Sequence, residues 1–248
     1  GTVTDKSISL INDWVKEKTN GKIPSIVSDK NSDFLAMLVN AVYFKGAWQN
    51  DFSKSATEDG VFTDRNGKEN TVSFMHDTAW RQVSQKDGVT ITKLPYKTSD
   101  GKNSSNLDVS MYLLMSEKAF NAEKELSAAK FDSVYTALSM PKFRIEYSAG
   151  MSDMLKKIGI NKAFTNTADL SSMLTGSGRT LISDVIHKTY IDVDEEGTEA
   201  AAVTGVSVGA TSLPPTPTEI NYNKPFTFVI KDNTSGDILF MGEYAFAE

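Results

Sequence analysis

The stretch that decides the fold of this chain is an acidic turn followed by small residues, Asp194-Glu195-Glu196-Gly197-Thr198-Glu199-Ala200-Ala201-Ala202. It opens a segment of small and β-branched residues, 195–217, whose last four residues include three prolines. A connection of this length without secondary structure is uncommon inside a compact domain. The segment therefore calls for a functional explanation.

The side chains of this segment alternate in a way that suits a β-strand. One face would carry only small or β-branched, uncharged residues: Thr198, Ala200, Ala202, Thr204, Val206 and Val208. The opposite face would carry Glu199 and most of the glycine, because successive side chains of a strand point to opposite sides. The pattern predicts a segment that exists both as an exposed loop and as a strand inserted in a sheet, with Gly197 as its hinge. A surface loop that never inserts is the alternative that the pattern leaves open.

Hydrophobic patterning over the rest of the chain predicts an α+β protein. An apolar stripe at helical spacing marks the first segment, and the second is apolar at odd and even positions alike, as in a strand covered on both faces. The predicted elements are helices over 5–18, 119–138 and 151–158, strands over 34–44, 140–147 and 181–193, short antiparallel strands between 61 and 115, and a C-terminal hairpin over 226–242.

Composition excludes several classes of function. The net charge is −6 and both signs are interspersed, so nothing attracts a nucleic acid or an anionic membrane. The chain has no cysteine, which excludes a disulfide framework and a thiol nucleophile. With His76 and His187 as its only histidines, it is not expected to hold a metal or another cofactor.

The acidic turn and the alanine run resemble the hinge of the serpins, a family of serine protease inhibitors. Further motifs similar to serpin signatures follow in family order: the run 38–48, Met140-Pro141-Lys142-Phe143, Ile158-Gly159-Ile160 with Ala163-Phe164, Asn223-Lys224-Pro225-Phe226 and Phe240-Met241-Gly242. The resemblance implies one domain over 1–248, with three β-sheets and surrounding helices. The family's N-terminal helices and some strands of its large sheet are expected to be absent from this chain.

The resemblance also implies a function. An inhibitory serpin is a suicide substrate, not an enzyme: a protease cleaves the loop and forms an acyl-enzyme, and the cut loop then inserts as a strand in the large sheet. The permissive hinge residues are typical of the inhibitory type: Glu195, Gly197, Thr198, Glu199, Ala200, Ala201 and Ala202. The intact protein is expected to be a monomer without a cofactor, and the resemblance favours an extracellular or secreted protein.

Within 195–217, the expected hinge and reactive-centre loop, the family's usual interval counted from Glu195 places the scissile bond at Thr211–Ser212. The second choice is Ala210–Thr211. No lysine or arginine lies between Lys188 and Lys224. Because a trypsin-like pocket needs a cation, the expected partner is an elastase-like or subtilisin-like protease with a small-residue primary pocket.

Three further residues match the family's switch region, where the large sheet opens. Asn40 and His187 are expected to form a hydrogen bond across neighbouring strands, and Trp48 to lie near the place where the loop inserts. Ordinary structural roles remain open for all three, since a buried amide or imidazole must find a partner in any protein.

Two other functions are alternatives to inhibition. A non-inhibitory serpin, such as a carrier or chaperone, has the same fold. An α/β-hydrolase is suggested by Gly205-Val206-Ser207-Val208-Gly209, which matches the G-x-S-x-G motif with Ser207 as nucleophile. That motif requires a helix after the serine and a later histidine, and the sequence offers neither.

Overall fold

The computed structural model describes residues 5–27, 36–97, 108–173, 180–198 and 215–247. They belong to two compact units, one formed by Gly1–Phe44 and Arg144–Ile191, the other by Lys45–Phe143 and Asp192–Glu248. The helices are α1 (Asp5–Lys18), α2 (Ala122–Ala128) and α3 (Ser152–Lys157). The strands are β1 (Met37–Tyr43), β2 (Gly46–Ala47), β3 (Glu58–Thr63), β4 (Glu69–Lys86), β5 (Val89–Pro95), β6 (Val109–Ser116), β7 (Asp132–Pro141), β8 (Phe143–Gly150), β9 (Asp184–Asp194), β10 (Gly197–Thr198), β11 (Thr218–Asn221), β12 (Phe226–Asp232) and β13 (Ile238–Tyr244).

In the first unit, α1 confirms the helix predicted over 5–18. Val15, on its apolar stripe, is fully buried. The helix ends where Asn20 and Gly21 both have positive φ, and the Gly21 amide donates to the carbonyl of Lys16 at 2.7 Å. This is the left-handed helix end that glycine favours.

The same unit contains a parallel strand pair. β1 lies beside β9, with register from Met37↔Asp184 to Tyr43↔Tyr190, and β8 also pairs with β9. One face of this pair packs on α1 through a cluster of apolar side chains: Val15, Ile23, Ile26, Val39, Ala41, Tyr43 and Tyr190.

The expectation that both faces of the 34–44 strand are covered was wrong for the part that the structure describes. Leu38 is 41% exposed and Asn40 is exposed, because the helix covers only the odd-numbered face of β1. The apolar character of the even-numbered positions is therefore not explained by contacts within the described residues.

The second unit contains an eight-stranded sheet in the order β11-β7-β4-β5-β6-β12-β13, with β3 paired to β4. Aromatic rings fill its core, where Phe143 lies 5.8 Å from Phe226 and 5.3 Å from Tyr244 between ring centroids. The α+β class is confirmed. The described residues form two sheets, because the 18-residue β4 pairs with β3, β7 and β5 and joins their strands in one sheet.

The helix predicted over 119–138 was wrong. Only α2 is helical, starting after Asn121, whose side chain accepts from the Lys124 amide. Val134, Tyr135 and Thr136 then belong to β7 and pair with β4. Their β-branched and aromatic side chains favour strands, and pairing with a long neighbouring strand outweighed the helical spacing.

The predicted helix over 151–158 is confirmed as α3, and the C-terminal hairpin as β12 and β13. The long strand expected over 181–193 begins only at Asp184. None of the helices in the described ranges is long and apolar enough to cross a membrane. The described ranges also contain no group of three or more potential metal ligands.

Candidate functional site

The acidic turn is a tight strand reversal in the second unit. β9 ends at Asp194, and β10 returns antiparallel to it, with Gly197 opposite Asp194. The other edge of β10 pairs with β2. The Glu196 amide donates to the Asp194 carboxylate at 2.9 Å and so closes the turn. The first hinge residues are thus already held as a strand, with a neighbour on each edge.

The structure brings three of the predicted hinge residues together: Glu195, Gly197 and Thr198. The remaining site predictions lie outside the described residues: the hinge residues Glu199, Ala200, Ala201 and Ala202, the bonds at Ala210, Thr211 and Ser212, and the hydrolase candidate Ser207.

Trp48 holds the turn from the side of β2. Its side chain is 1% exposed, and its indole Nε1 donates to the Asp194 carbonyl at 2.9 Å. Its backbone amide donates to the Glu196 carbonyl at 3.0 Å. The indole also stacks on Tyr96, with ring centroids 4.6 Å apart and planes 12° apart. Trp48 thus contacts the acidic turn directly, and its role near the place where the loop inserts stays a prediction.

Tyr96 fixes the hinge threonine. Its hydroxyl lies 2.8 Å from Oγ1 of Thr198, and both residues are buried. Burial raises the pKa of Tyr96 well above its usual range, so the phenol stays neutral at physiological pH. The sequence interpretation missed Tyr96, which directly follows β5 in the structure.

Glu195 is the charged anchor of the turn. Its carboxylate accepts from Lys142 Nζ at 2.8 Å and from Thr57 Oγ1 at 2.7 Å, and its side chain is only 5% exposed. Burial alone would raise the pKa of Glu195, but the hydrogen bonds from Lys142 and Thr57 outweigh it and hold the pKa below its ordinary value. Neither partner was predicted, although Lys142 belongs to a quoted motif.

Replacing Glu195 with glutamine is expected to lower the stability of the protein at neutral pH by about 2 kcal/mol, because charged hydrogen bonds are lost. Since the folded pKa of Glu195 is depressed, its contribution is present above the ordinary glutamate pKa and is lost as the pH falls through the folded value. Urea unfolding of both proteins at pH 7 and pH 3 measures this. An equal stability difference at the two pH values would contradict the account.

Among the hinge residues that the structure describes, Gly197 is a position where only glycine fits. Its φ is +140°, and an added Cβ would lie 2.2 Å from the Gly46 carbonyl oxygen and 2.7 Å from the Ala47 Cα. These neighbours are backbone atoms of β2, which cannot rotate away as a flexible side chain can. The close approach of β10 to β2 therefore depends on the missing side chain.

The variant Gly197→Ala is expected to lose about 3 kcal/mol or more of unfolding free energy, from backbone strain and steric overlap together. Gly159→Ala is the matched control, because Gly159 also has positive φ but has no heavy atom within 4 Å of an added Cβ. The control should lose only about 1–2 kcal/mol. Equal losses in the two variants, measured by denaturant titration, would show that the overlap with β2 has no effect.

In the first unit, Asn40 and His187 form the predicted pair. They are register partners on β1 and β9, and Asn40 Nδ2 lies 3.1 Å from His187 Nδ1. Asn40 is exposed, so burial alone does not require this bond. A role of the pair in opening the sheet stays a prediction.

Comparison with known proteins gives one family. A sequence profile described as serpin (serine protease inhibitor) matches residues 2–245. Serpin-Z2A of Triticum aestivum is 34% identical over 249 residues, which cover 94% of this chain and 62% of that protein. The chain thus spans slightly less than two thirds of the length of the relatives it matches.

Solved structures agree. The thermophilic serpin tengpin in its native state superimposes with a TM-score of 0.81 at 29% identity, covering 98% of this chain and 64% of that one. Human thyroxine-binding globulin in complex with thyroxine gives the same TM-score at 24% identity, covering 98% and 64%. At that identity the second likeness concerns the fold alone.

Proposed function

The chain belongs to the serpin family, and from this premise we propose that the whole protein inhibits serine proteases as a suicide substrate. Members of this family are generally inhibitors or carriers, not catalysts. The target class we propose is an elastase-like or subtilisin-like protease, which cleaves the loop at Thr211–Ser212.

The observation that carries the proposal is the direction of three strands. β1 and β9 run parallel, whereas β10 leaves the turn antiparallel to β9. A strand that continued β10 between the other two would be antiparallel to both, and would replace one parallel pairing with two antiparallel ones. Antiparallel pairing is slightly more stable per residue, which favours the inserted state.

The side chains that would enter the sheet also support the proposed insertion. Thr198 is already fully buried in β10 and hydrogen-bonded to Tyr96. The inward positions after it, Ala200 and Ala202, are small and uncharged. Burying them costs no charge desolvation and little side-chain entropy.

The proposed chemistry is an interrupted proteolysis. The catalytic serine of the protease attacks the carbonyl carbon of Thr211, an ester bond forms, and the amine of Ser212 leaves with a proton. The freed strand then inserts and carries the protease with it before water can cleave the ester. Serpin loop insertion is itself an established case of strand addition and of the release of stored strain.

Incubation of the whole protein with elastase tests this function. A protease complex that survives boiling in SDS is the expected product, because the ester is covalent. Cleavage without a complex would support the non-inhibitory alternative. An esterase activity that disappears in Ser207→Ala would support the hydrolase alternative instead.

A further inference from the structure

The segment 48–52 of the second unit has two different neighbours. On one side its backbone holds the acidic turn: the Trp48 amide donates to the Glu196 carbonyl at 3.0 Å. The Phe52 amide likewise donates to the Glu195 carbonyl at 2.8 Å. On its other side the segment forms one wall of a cavity. A ligand that fills this cavity would therefore contact a segment that directly contacts the hinge.

The cavity has a volume of about 420 Å³. Pockets for small molecules typically measure roughly 300–1,000 Å³. Its other walls come from Asp77 and residues 79–82 of β4, residues 93–95 at the end of β5, and Asp108. The volume is large enough for a ligand the size of one amino acid, and all walls belong to one compact unit.

Two side chains of opposite charge line this cavity without an ion-pair partner in the described ranges: Lys93 and Asp108. The other two charged residues of the wall neutralise each other, since the Arg81 guanidinium donates to the Asp77 carboxylate. Arg81 also donates to Thr136 Oγ1 at 3.0 Å, which fixes its orientation. The cavity thus offers one available cation and one available anion.

Lys93 and Asp108 both lie near the ring of Tyr112. Lys93 Nζ lies 6.0 Å from the ring centroid of Tyr112. At the other end of that ring, Asn233 accepts from the Tyr112 hydroxyl at 2.5 Å and donates to Asp108 at 3.0 Å. Burial and the charge of Asp108 raise the pKa of Tyr112 to about 12, which agrees with this proximity. A ligand with both charges could therefore reach both side chains.

Trp80 provides an aromatic surface in the same wall. It is 61% exposed, and its ring lies 5.5 Å from that of Tyr135. A large aromatic side chain left in water is unfavourable, and aromatic rings pair favourably by stacking or edge contacts. The exposed indole thus favours a ligand that carries an aromatic ring.

We propose that this cavity binds a free aromatic amino acid, with its ring against Trp80, its carboxylate on Lys93 and its ammonium group on Asp108. The bound ligand stabilises the segment 48–52 and with it the hinge, because a ligand favours the conformation that it contacts best. Any effect of the bound ligand on protease inhibition rests on the proposed function, whereas ligand binding and hinge stabilisation do not.

Titration calorimetry of the full chain with L-tryptophan tests the site. Tryptamine, which lacks the carboxylate, and indole-3-propionate, which lacks the ammonium group, should each bind at least tenfold more weakly. Lys93→Met should weaken tryptophan binding about tenfold but leave tryptamine binding unchanged. Asp108→Asn should likewise weaken tryptophan binding about tenfold but leave indole-3-propionate binding unchanged. Lys124→Met, an exposed lysine of α2, is the matched control. Undetectable tryptophan binding, or equal binding in the cavity variants, overturns the proposal.

Hydrogen exchange tests the link to the hinge without any protease. At a tryptophan concentration ten times its Kd, the amides of Trp48 and Phe52 should exchange about tenfold more slowly in the wild type. In Lys93→Met, whose Kd is expected to be about tenfold higher, the slowing should fall to about twofold at the same concentration. Tryptophan binding without slower exchange at these amides would overturn the coupling. A failure to inhibit proteases would leave both measurements unaffected.

Discussion

Replacing Thr198 with arginine is expected to abolish the SDS-stable protease complex while the loop is still cut. Thr198 has no exposed surface and pairs with Val193 on one side and Gly46 on the other. Because Thr198 is already buried in β10, an arginine there is expected to expel the start of β10 from the sheet. The cut loop could then enter the sheet only by desolvating the guanidinium without a partner, which costs several kcal/mol and removes the advantage of insertion.

Two milder variants separate insertion from simple misfolding. Thr198→Ser keeps the hydroxyl that bonds Tyr96 and should retain most of the complex. Thr198→Val keeps the shape but removes the hydrogen bond to Tyr96, at a cost of about 1 kcal/mol. The yield of complex should therefore fall in the order Thr, Ser, Val, Arg, measured by gel densitometry after elastase treatment. A wild-type yield in the arginine variant would refute the role of Thr198.

Replacing Thr211 with arginine is expected to transfer inhibition to trypsin-like proteases. The wild-type segment between Lys188 and Lys224 offers no cation to their primary pocket. A single arginine at the cleaved bond supplies it, and the rate of complex formation with trypsin should rise by on the order of 10²–10⁴. The rate with elastase should fall correspondingly.

Ala210→Arg is the matched control for this assignment, because Ala210–Thr211 is the second choice of bond. Mass spectrometry of the peptide released from each complex identifies the bond directly. If only the Ala210→Arg variant inhibits trypsin, the cleaved bond is Ala210–Thr211. If neither variant inhibits trypsin, the position of the bond is wrong altogether.

Local patterns predicted those parts of the fold that depend on near neighbours in the sequence. α1 followed from an apolar stripe with a glycine stop, and β9 from its alternation before the acidic turn. The helix predicted over 119–138 failed because the partner of β7 is β4, some sixty residues away. No local pattern contains that pairing.

The same limit applies to the site. Gly197 and Thr198 stood out because glycine suits a hinge and threonine is small enough to lead insertion, within a motif that resembles the serpin hinge. Lys142 and Tyr96 did not, since their roles depend on the carboxylate of Glu195 and the hydroxyl of Thr198, which only the fold brings to them. Charged and hydroxyl side chains are common on any surface, so type alone cannot identify an anchor of this kind.

The central claim is that the cut loop enters the sheet between β1 and β9, and spin labels on these strands measure it most directly. Leu38 and Val185 are register partners, and the chain has no cysteine of its own, so Leu38→Cys with Val185→Cys can be labelled selectively in the whole protein. Neighbouring strands lie about 4.8 Å apart, so insertion should roughly double the separation and reduce the dipolar broadening of the spectrum after cleavage by elastase. Unchanged broadening once every loop is cut would mean that the two strands stay paired and that the loop does not insert.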